Sequence, residues 1–178
     1  AEAVSPCVLW VDEVEKAFAG IGSGAAGSEV ATRLFGYFLT WMQEKTAQVF
    51  VVTTANDISV LPPELLRKGR FDEIFYVDFP NEAERKAIFR VHLDKRKKMN
   101  QQIDLHKLAK ATDKYSGADI ESIVKEGIER AFLANRAELD TQRLMQVIEA
   151  THPLGMVMKD KVKQYQNRFA EMKIKSAS

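Results

Sequence analysis

The sequence predicts an α/β fold in which a partial parallel sheet is followed by an all-helical region. Three short apolar runs are rich in β-forming residues: "CVLWV" (7–11), "VFVVT" (49–53) and "IFYVDF" (74–79). A helical pattern separates the first two runs, and this order favours a βαβ crossover. After Pro80 helical periodicity replaces strand-like runs. We therefore expect two domains, an α/β part at 1–80 and a helical part at 81–178.

Composition and charge exclude several classes of partner. The chain has 178 residues, 46% hydrophobic and 29% charged, with a formal net charge of +1. This balance creates no global field toward nucleic acid or a membrane surface. The basic run "KRKK" (95–98) closes a predicted helix without interleaved aromatic residues, so we expect no nucleic-acid contact there. The single cysteine, Cys7, fits a reducing compartment, and no segment approaches the length of a membrane span.

In the α/β part, the run 7–11 is continuously apolar, which is typical of a strand buried on both faces. The segment 19–28 contains only Gly, Ala, Ser and Ile and predicts a loop, after which Ser28 can cap a helix at 29–44. The spacing of four apolar residues in this helix predicts its buried face: Val30, Leu34, Phe38 and Met42.

The helical part opens with a strong start signal. Asn81 is a good N-cap, acidic residues follow in the first turn, and a basic run lies at the end of the pattern near residue 98. Further apolar periodicity predicts four helices, near 104–112, 117–136, 141–150 and 155–173.

Polar side chains follow the first two strands at the point where each strand ends. Asp12 and Glu13 come directly after the first strand, and Asn56 lies just beyond the second. If the strands are parallel neighbours, these side chains converge where ligands bind in open α/β sheets. One carboxylate could then hold Mg²⁺ through its water shell, and the other could deprotonate a water molecule. The alternative is that Asp12 and Glu13 only begin the next helix, where acidic residues suit the dipole.

The stretch "LLRKGRFDE" (65–73) places Arg67 and Arg70 three positions apart around a glycine. Arginine is always charged, and its planar fork suits phosphate oxygens. The alternative is that these arginines form surface salt bridges with nearby acids: Glu64, Asp72 or Glu73.

The order of these motifs resembles the AAA branch of the AAA+ ATPases. "CVLWVDE" is similar to that family's Walker B motif, and "VVTTAND" followed by "LPPELLRKGRFDEIFYVDFP" is similar to sensor 1 and the second region of homology. "YSGADIESIVKEG" (115–127) resembles the Gly-Ala-Asp motif of the helical lid. The phrases "LLRKGRFDEIF" and "FLTWMQEK" resemble AAA proteins of cyanobacteria and plastids. The resemblance implies a partial parallel-sheet P-loop NTPase core followed by a lid domain.

The resemblance also implies a role for each matching residue of the first domain. Asp12 would hold Mg²⁺, mainly through water, and Glu13 would polarise the attacking water. Asn56 would be the sensor that faces the γ-phosphate of ATP. Arg67 and Arg70 would be arginine fingers that reach the ATP of a neighbouring subunit.

In the lid, the resemblance places three residues beside the nucleotide. His92 matches a lid histidine, with a half-buried helix residue as the alternative interpretation. Gly117 and Ala118 would pack close to the base and ribose. Lys68 departs from the family, which commonly has proline there; this alters a turn, and we expect both arginines to stay in place.

The larger departure is an absence, because no G-x-x-x-x-G-K-[ST] pattern occurs in the 178 residues. In the family that P-loop lies upstream of Walker B, so we expect this chain to be the C-terminal part of the module and inactive alone. The resemblance implies that the whole protein uses ATP and Mg²⁺ in a homo-oligomeric, hexameric ring that remodels a macromolecular partner, in the cytoplasm or plastid stroma. The alternative is a degenerate AAA scaffold or regulatory module that does not hydrolyse ATP.

Overall fold

The computed structural model describes residues 1–18, 28–67, 69–135 and 138–177. It divides into two compact units, Ala1–Ile74 (unit 1) and Phe75–Ser178 (unit 2), and each is described by itself. The predicted loop at 19–27, the side-chain cap by Ser28 and the departure at Lys68 lie outside the described residues. The predicted domain division at residue 80 stays a prediction.

Unit 1 is built on a parallel pair of strands. Strand β1 (Cys7–Val11) pairs with β2 (Val49–Thr53) in the register Cys7↔Val49 to Val11↔Thr53. Helices α1 (Val14–Ala17) and α2 (Ser28–Glu44) lie between the strands in sequence, as the predicted βαβ crossover requires. Three short 3-10 helices complete the described part of the unit: Glu2–Val4, Ile58–Val60 and Pro63–Leu66.

The prediction that the run 7–11 is buried on both faces is wrong. Val8 and Trp10 are 65% and 63% exposed, and Phe50, the register partner of Val8, is 69% exposed. On the opposite face of the strand, Val11 packs against the core of the unit. A continuously apolar run therefore has one covered and one uncovered face, because the described residues of unit 1 place no layer over the second.

The predicted buried face of α2 is correct only in its second half. Met42 is buried and Phe38 packs against the core, but Val30 and Leu34 are 71% and 55% exposed. The other buried residue of the helix is Phe35, which the prediction omitted. The reason is that the described core of unit 1 meets α2 only from Phe35 onward, so the first turns have no apolar surface to cover.

The third predicted strand, 74–79, is wrong in its length. Strand β3 spans only Phe75–Tyr76, and it pairs in parallel with β4 (Lys175–Ser176) inside unit 2. Stacking of the Tyr76 ring on Phe169, with centroids 4.3 Å apart, accompanies this pairing. The sequence did not predict β4, because Lys and Ser carry no strand pattern, and unit 2 is therefore not purely helical.

Six helices lie in the described part of unit 2: α3 (Glu82–Lys95), α4 (Leu105–Ala111), α5 (Gly117–Leu133), α6 (Thr141–Ala150), α7 (Leu154–Val157) and α8 (Lys159–Glu171). Helices α3 to α6 enclose one apolar core with several fully buried side chains: Phe89, Leu93, Leu108, Ile120, Ile123 and Leu144. Asn81 caps α3 as predicted, in a reciprocal capping box with Glu84. No helix among the described residues is long and apolar enough to cross a membrane.

The predicted helix boundaries of unit 2 need two corrections. The helix predicted at 81–98 ends at Lys95, and the positive φ of 53° at Lys97 stops it. The helix predicted at 155–173 is two helices, because Met158 has the non-helical dihedral angles φ −105° and ψ 22° between α7 and α8.

We expect a methyl group added at Gly155 and one added at Gly36 to have opposite effects on stability. A Cβ at Gly155 would lie 2.6 Å from the Lys114 carbonyl oxygen, whereas a Cβ at Gly36 would meet nothing within 4 Å. We expect Gly155→Ala to destabilise unit 2 by about 1–3 kcal/mol through overpacking. We expect Gly36→Ala, inside α2, to stabilise its helix by about 0.5–1 kcal/mol. Hydrogen exchange of core amides in each unit measures both changes, and equal effects of the two variants would contradict this account.

Candidate functional site

The candidate site of unit 1 lies at the carboxyl ends of the two parallel strands. Backbone pairing continues one step past the strands, because the Thr54 N–H donates to the Val11 carbonyl at 3.0 Å. The Thr54 carbonyl in turn accepts the Val14 N–H at 2.9 Å. These bonds fix Asp12 and Glu13, which lie between Val11 and Val14, directly beside the end of β2.

Thr54 connects both acidic residues through its hydroxyl group. Its Oγ1 accepts the Glu13 N–H at 3.0 Å and donates to Asp12 Oδ1. Sequence reasoning missed Thr54, although its position directly after β2 is a usable signal. The Thr54 hydroxyl thus holds the side-chain carboxylate of Asp12 and the backbone N–H of Glu13.

Glu13 has a left-handed backbone, with φ 51° and ψ 52°. A non-glycine residue in this region is uncommon and persists only where surrounding contacts impose it. Here the contacts are the Thr54 hydroxyl on the backbone and the Asn56 Nδ2, which donates to Glu13 Oε1 at 2.9 Å. The structure therefore brings Asp12, Glu13 and Asn56 together, as the sequence predicted.

The other oxygen of Glu13 pairs with a lysine. Lys16 Nζ donates to Glu13 Oε2, and this hydrogen bond raises the pKa of Lys16 above its ordinary value. Because the Lys16 side chain is 70% exposed, the ion pair contributes little to stability. Glu13 is also the N-cap of α1, but its side chain makes no capping bond. Glu13 therefore begins α1 with its backbone, as the alternative interpretation expects. Its carboxylate, however, is bound by Asn56 and Lys16 and takes no part in helix capping.

Glu15 is a second residue that sequence reasoning missed. It is only 8% exposed, and its Oε1 accepts the backbone N–H of Asn56 at 3.1 Å. No ordinary sequence signal identifies it, because an acidic residue in the first turn of a helix is common.

The two arginines differ in their surroundings. Arg67 is exposed, whereas Arg70 is half-buried and its Nη1 donates to the Glu64 carbonyl at 2.6 Å. The Nε of Arg70 is buried and finds no partner in the part of the chain that the structure describes. Gly69, with φ 91°, makes the turn between them. The contact of Arg70 with Glu64 is to the backbone, not the salt bridge of the alternative interpretation.

In unit 2, His92 belongs to a half-buried polar cluster on α3 and α5. Arg96 Nη1 lies 3.3 Å from His92 Nδ1, and a guanidinium can only donate, so Nδ1 is the acceptor. The 3.9 Å between Nδ1 and Glu121 Oε1 is too long for a hydrogen bond. Hydrogen bonds from Arg96 and Lys125 hold the pKa of Glu121 below its ordinary value.

Gly117 and Ala118 form the first turn of α5. Ser116 caps this helix in a reciprocal capping box with Asp119. A Cβ at Gly117 would meet only Ile88 Cδ1, at the ordinary distance of 3.9 Å, and Ala118 is exposed. Packing within unit 2 therefore does not require small residues at this turn, and the turn is open to a contact from outside.

The donor atoms of unit 1 suit a hydrated magnesium ion. Asp12 is exposed and offers carboxylate oxygens, and the described residues contain no group of three or more His, Cys, Asp or Glu side chains that could enclose a metal. Mg²⁺ commonly keeps several waters and is held by one or two carboxylates together with substrate phosphates. The residues present fit that mode of binding.

Comparison with known proteins identifies two family matches. Residues 1–79 match the ATPase family associated with various cellular activities (AAA), and residues 102–146 match the AAA+ lid domain. The α/β core followed by a helical lid, expected from the sequence, is thereby confirmed.

Individual relatives agree with these matches. The "Uncharacterized AAA domain-containing protein ycf46" of Pyropia yezoensis is 44% identical over all of this chain, and that of Guillardia theta is 42% identical. The chain spans 36% and 35% of the lengths of these two relatives. The "ATP-dependent zinc metalloprotease FtsH 1" of Sphaerobacter thermophilus is 33% identical over 82% of this chain and 22% of that protein. The chain belongs to the AAA family of ATPases.

Proposed function

We propose that the whole protein binds ATP with Mg²⁺ and hydrolyses it at the interfaces between subunits of a homo-oligomeric, hexameric ring. The energy released would drive the remodelling of a macromolecular partner, most simply another protein. The observation that carries this proposal is the Thr54-centred arrangement of Asp12, Glu13 and Asn56 at the carboxyl edge of the sheet. Family membership and relatives named as AAA proteins support it.

Each residue of this arrangement has a distinct task in the proposal. Asp12 would hold the magnesium water shell, and the ion, when bound, would offset the negative charge of the phosphates. Glu13 would accept a proton from the attacking water as a general base. Asn56 would keep the Glu13 carboxylate in place through its 2.9 Å hydrogen bond, and would sense the γ-phosphate.

The lid residues are proposed to contact the nucleoside. His92 would donate a hydrogen bond from Nε2 toward the nucleotide, while Arg96 contacts Nδ1. Gly117 and Ala118 would leave room for the base and ribose at the start of α5. The match of residues 102–146 to the AAA+ lid domain supports the placement of these two residues.

Arg67 and Arg70 are proposed to act on the ATP of a neighbouring subunit. The exposure of Arg67 leaves its guanidinium open to phosphate oxygens, and the half-buried Arg70 follows it three residues later. An arginine supplied in this way is worth about 10³–10⁵ in turnover in other NTPases. We propose the cytoplasm or the plastid stroma as the location, because phrases of the sequence resemble AAA proteins of cyanobacteria and plastids.

The rival is a degenerate AAA module that binds partners without hydrolysing ATP. The Asn56 bond to Glu13 favours hydrolysis, because a scaffold has no need to orient that carboxylate. The 178 residues contain no P-loop pattern, so we expect the isolated chain to be inactive and use it as the negative reference in activity assays.

Glu13→Gln tests the proposed function directly. The substitution keeps the size and the hydrogen bond from Asn56 but removes the base, so the whole protein should bind ATP and lose about 10²–10⁴-fold in turnover. Asp12→Asn should instead weaken Mg²⁺-dependent ATP binding. Steady-state ATPase assays and nucleotide titrations measure both effects, with Glu44→Gln on the exposed end of α2 as the matched control. Near wild-type turnover by Glu13→Gln would refute the role of Glu13.

Thr54→Val tests the hydroxyl that connects the two acids. Valine keeps the shape but leaves the part-buried Glu13 N–H without its partner, at a cost of about 1–3 kcal/mol. We expect about tenfold lower turnover and a higher Mg²⁺ requirement, whereas Thr54→Ser should resemble wild type. Thr53→Val, one residue earlier in β2, is the control for strand stability. If Thr54→Val and Thr53→Val behave alike in a magnesium titration, the hydroxyl has no such role.

Mixing two inactive variants tests whether the arginines act between subunits. Arg67→Ala or Arg70→Ala should abolish turnover while sparing ATP affinity within a subunit. Each arginine variant and Glu13→Gln is expected to be inactive alone. In mixed rings some interfaces pair an intact Glu13 with intact arginines, so hydrolysis should be restored. If subunits are shown to exchange and no activity returns, the arginines do not act in trans.

A further inference from the structure

We propose that Glu15 is a positioning residue that holds the Asn56 backbone so that the Asn56 side chain can orient Glu13. This inference rests on the proposed function for its effect on turnover. The contact itself is independent of hydrolysis, because it joins two residues of this chain without any ligand.

The burial of Glu15 calls for an explanation. A glutamate is almost never fully buried unless it is paired, yet Glu15 is 8% exposed between the apolar residues Val14 and Phe18, which are 2% and 5% exposed. Its Oε2 is buried and has no hydrogen-bond partner among the described residues. An apolar side chain would avoid this desolvation penalty, so packing alone does not favour an acid at this position.

The other carboxylate oxygen shows what the acid provides. Glu15 Oε1 accepts the Asn56 N–H at 3.1 Å, and the Asn56 Nδ2 donates to Glu13 Oε1 at 2.9 Å. Asn56 therefore links Glu15 to the carboxylate of Glu13, which is proposed to activate water. It touches no reacting atom and acts only through Asn56.

The location of Asn56 makes it dependent on this contact. Backbone bonding between the two strand ends reaches Thr54, whose N–H and carbonyl are both engaged. Two residues further on, the Asn56 N–H is held by a side chain instead of a strand partner. Without the Glu15 acceptor, the segment after β2 would lose its hydrogen bond to α1 at Asn56, the residue that carries the proposed sensor side chain.

Three variants of the whole protein test the proposal. Glu15→Gln keeps an acceptor oxygen at the same distance, Glu15→Met keeps the length without the acceptor, and Glu15→Asp keeps the charge but is one methylene too short. The control is Glu44→Met, which removes an exposed acid at the end of α2. The first readout is amide hydrogen exchange in peptides covering residues 54–57, without nucleotide. The second is the separate effect on kcat and KM for ATP.

We expect Glu15→Met and Glu15→Asp to raise exchange at Asn56 about tenfold, with the rest of β2 still protected. Both should lower kcat about tenfold with little change in KM, because the orientation of Glu13 and not ATP binding is affected. Glu15→Gln should stay near wild type in both readouts, as should Glu44→Met. Should the methionine variant fail to fold, the aspartate variant carries the same test.

Two results would overturn the proposal. One is unchanged Asn56 exchange in both Glu15→Met and Glu15→Asp, since the contact would then hold nothing. The other is a glutamine variant as impaired as the methionine variant, since the charge and not the acceptor would then matter. Absence of ATP turnover in the wild-type whole protein would instead refute the proposed function, and the exchange readout would still decide whether Glu15 holds Asn56.

Discussion

The parallel pairing of β1 with β2 is the constraint on which the candidate site depends. Its register places Val11 opposite Thr53, so both strands end at the same level. Because Thr54 continues the backbone bonding by one residue, the chain segments that follow the strands cannot separate. Residues more than 40 positions apart in sequence thus become hydrogen-bond partners, and Glu13 and Asn56 differ by 43 positions.

The site shows features that stability alone would not select. Glu13 holds a left-handed backbone, and Glu15 buries a carboxylate oxygen without a partner among the described residues. Strained backbone and unsatisfied buried acids both cost free energy, and such departures from local rules concentrate at functional sites. The two departures lie within three residues of each other, and both involve contacts with Asn56 or Thr54. Their clustering supports a functional reason for both.

The sequence predicted what local pattern determines and missed what tertiary contact determines. Periodicity and caps located the principal helices, and apolar runs located β1 and β2. The sequence pattern could not show that Trp10 is largely exposed, or that Lys175–Ser176 pairs with β3, because both depend on remote parts of the chain. The same limit applies to the site. Asp12 and Glu13 follow from strand ends, and the position of Thr54 directly after β2 is a signal of the same kind, but Glu15 is identified only by its burial and its bond to Asn56.

Two glycines of α5 differ in whether the packing of unit 2 requires them. A Cβ at Gly127 would lie 2.7 Å from Leu144 Cδ2, and Leu144 is fully buried, so the core of unit 2 demands glycine there. A Cβ at Gly117 would meet only Ile88 Cδ1 at 3.9 Å, which is ordinary van der Waals contact. The core of unit 2 therefore accounts for Gly127, but no contact within the described residues requires glycine at position 117. This freedom at Gly117, beside the exposed Ala118, supports the proposed contact of the two residues with the nucleotide.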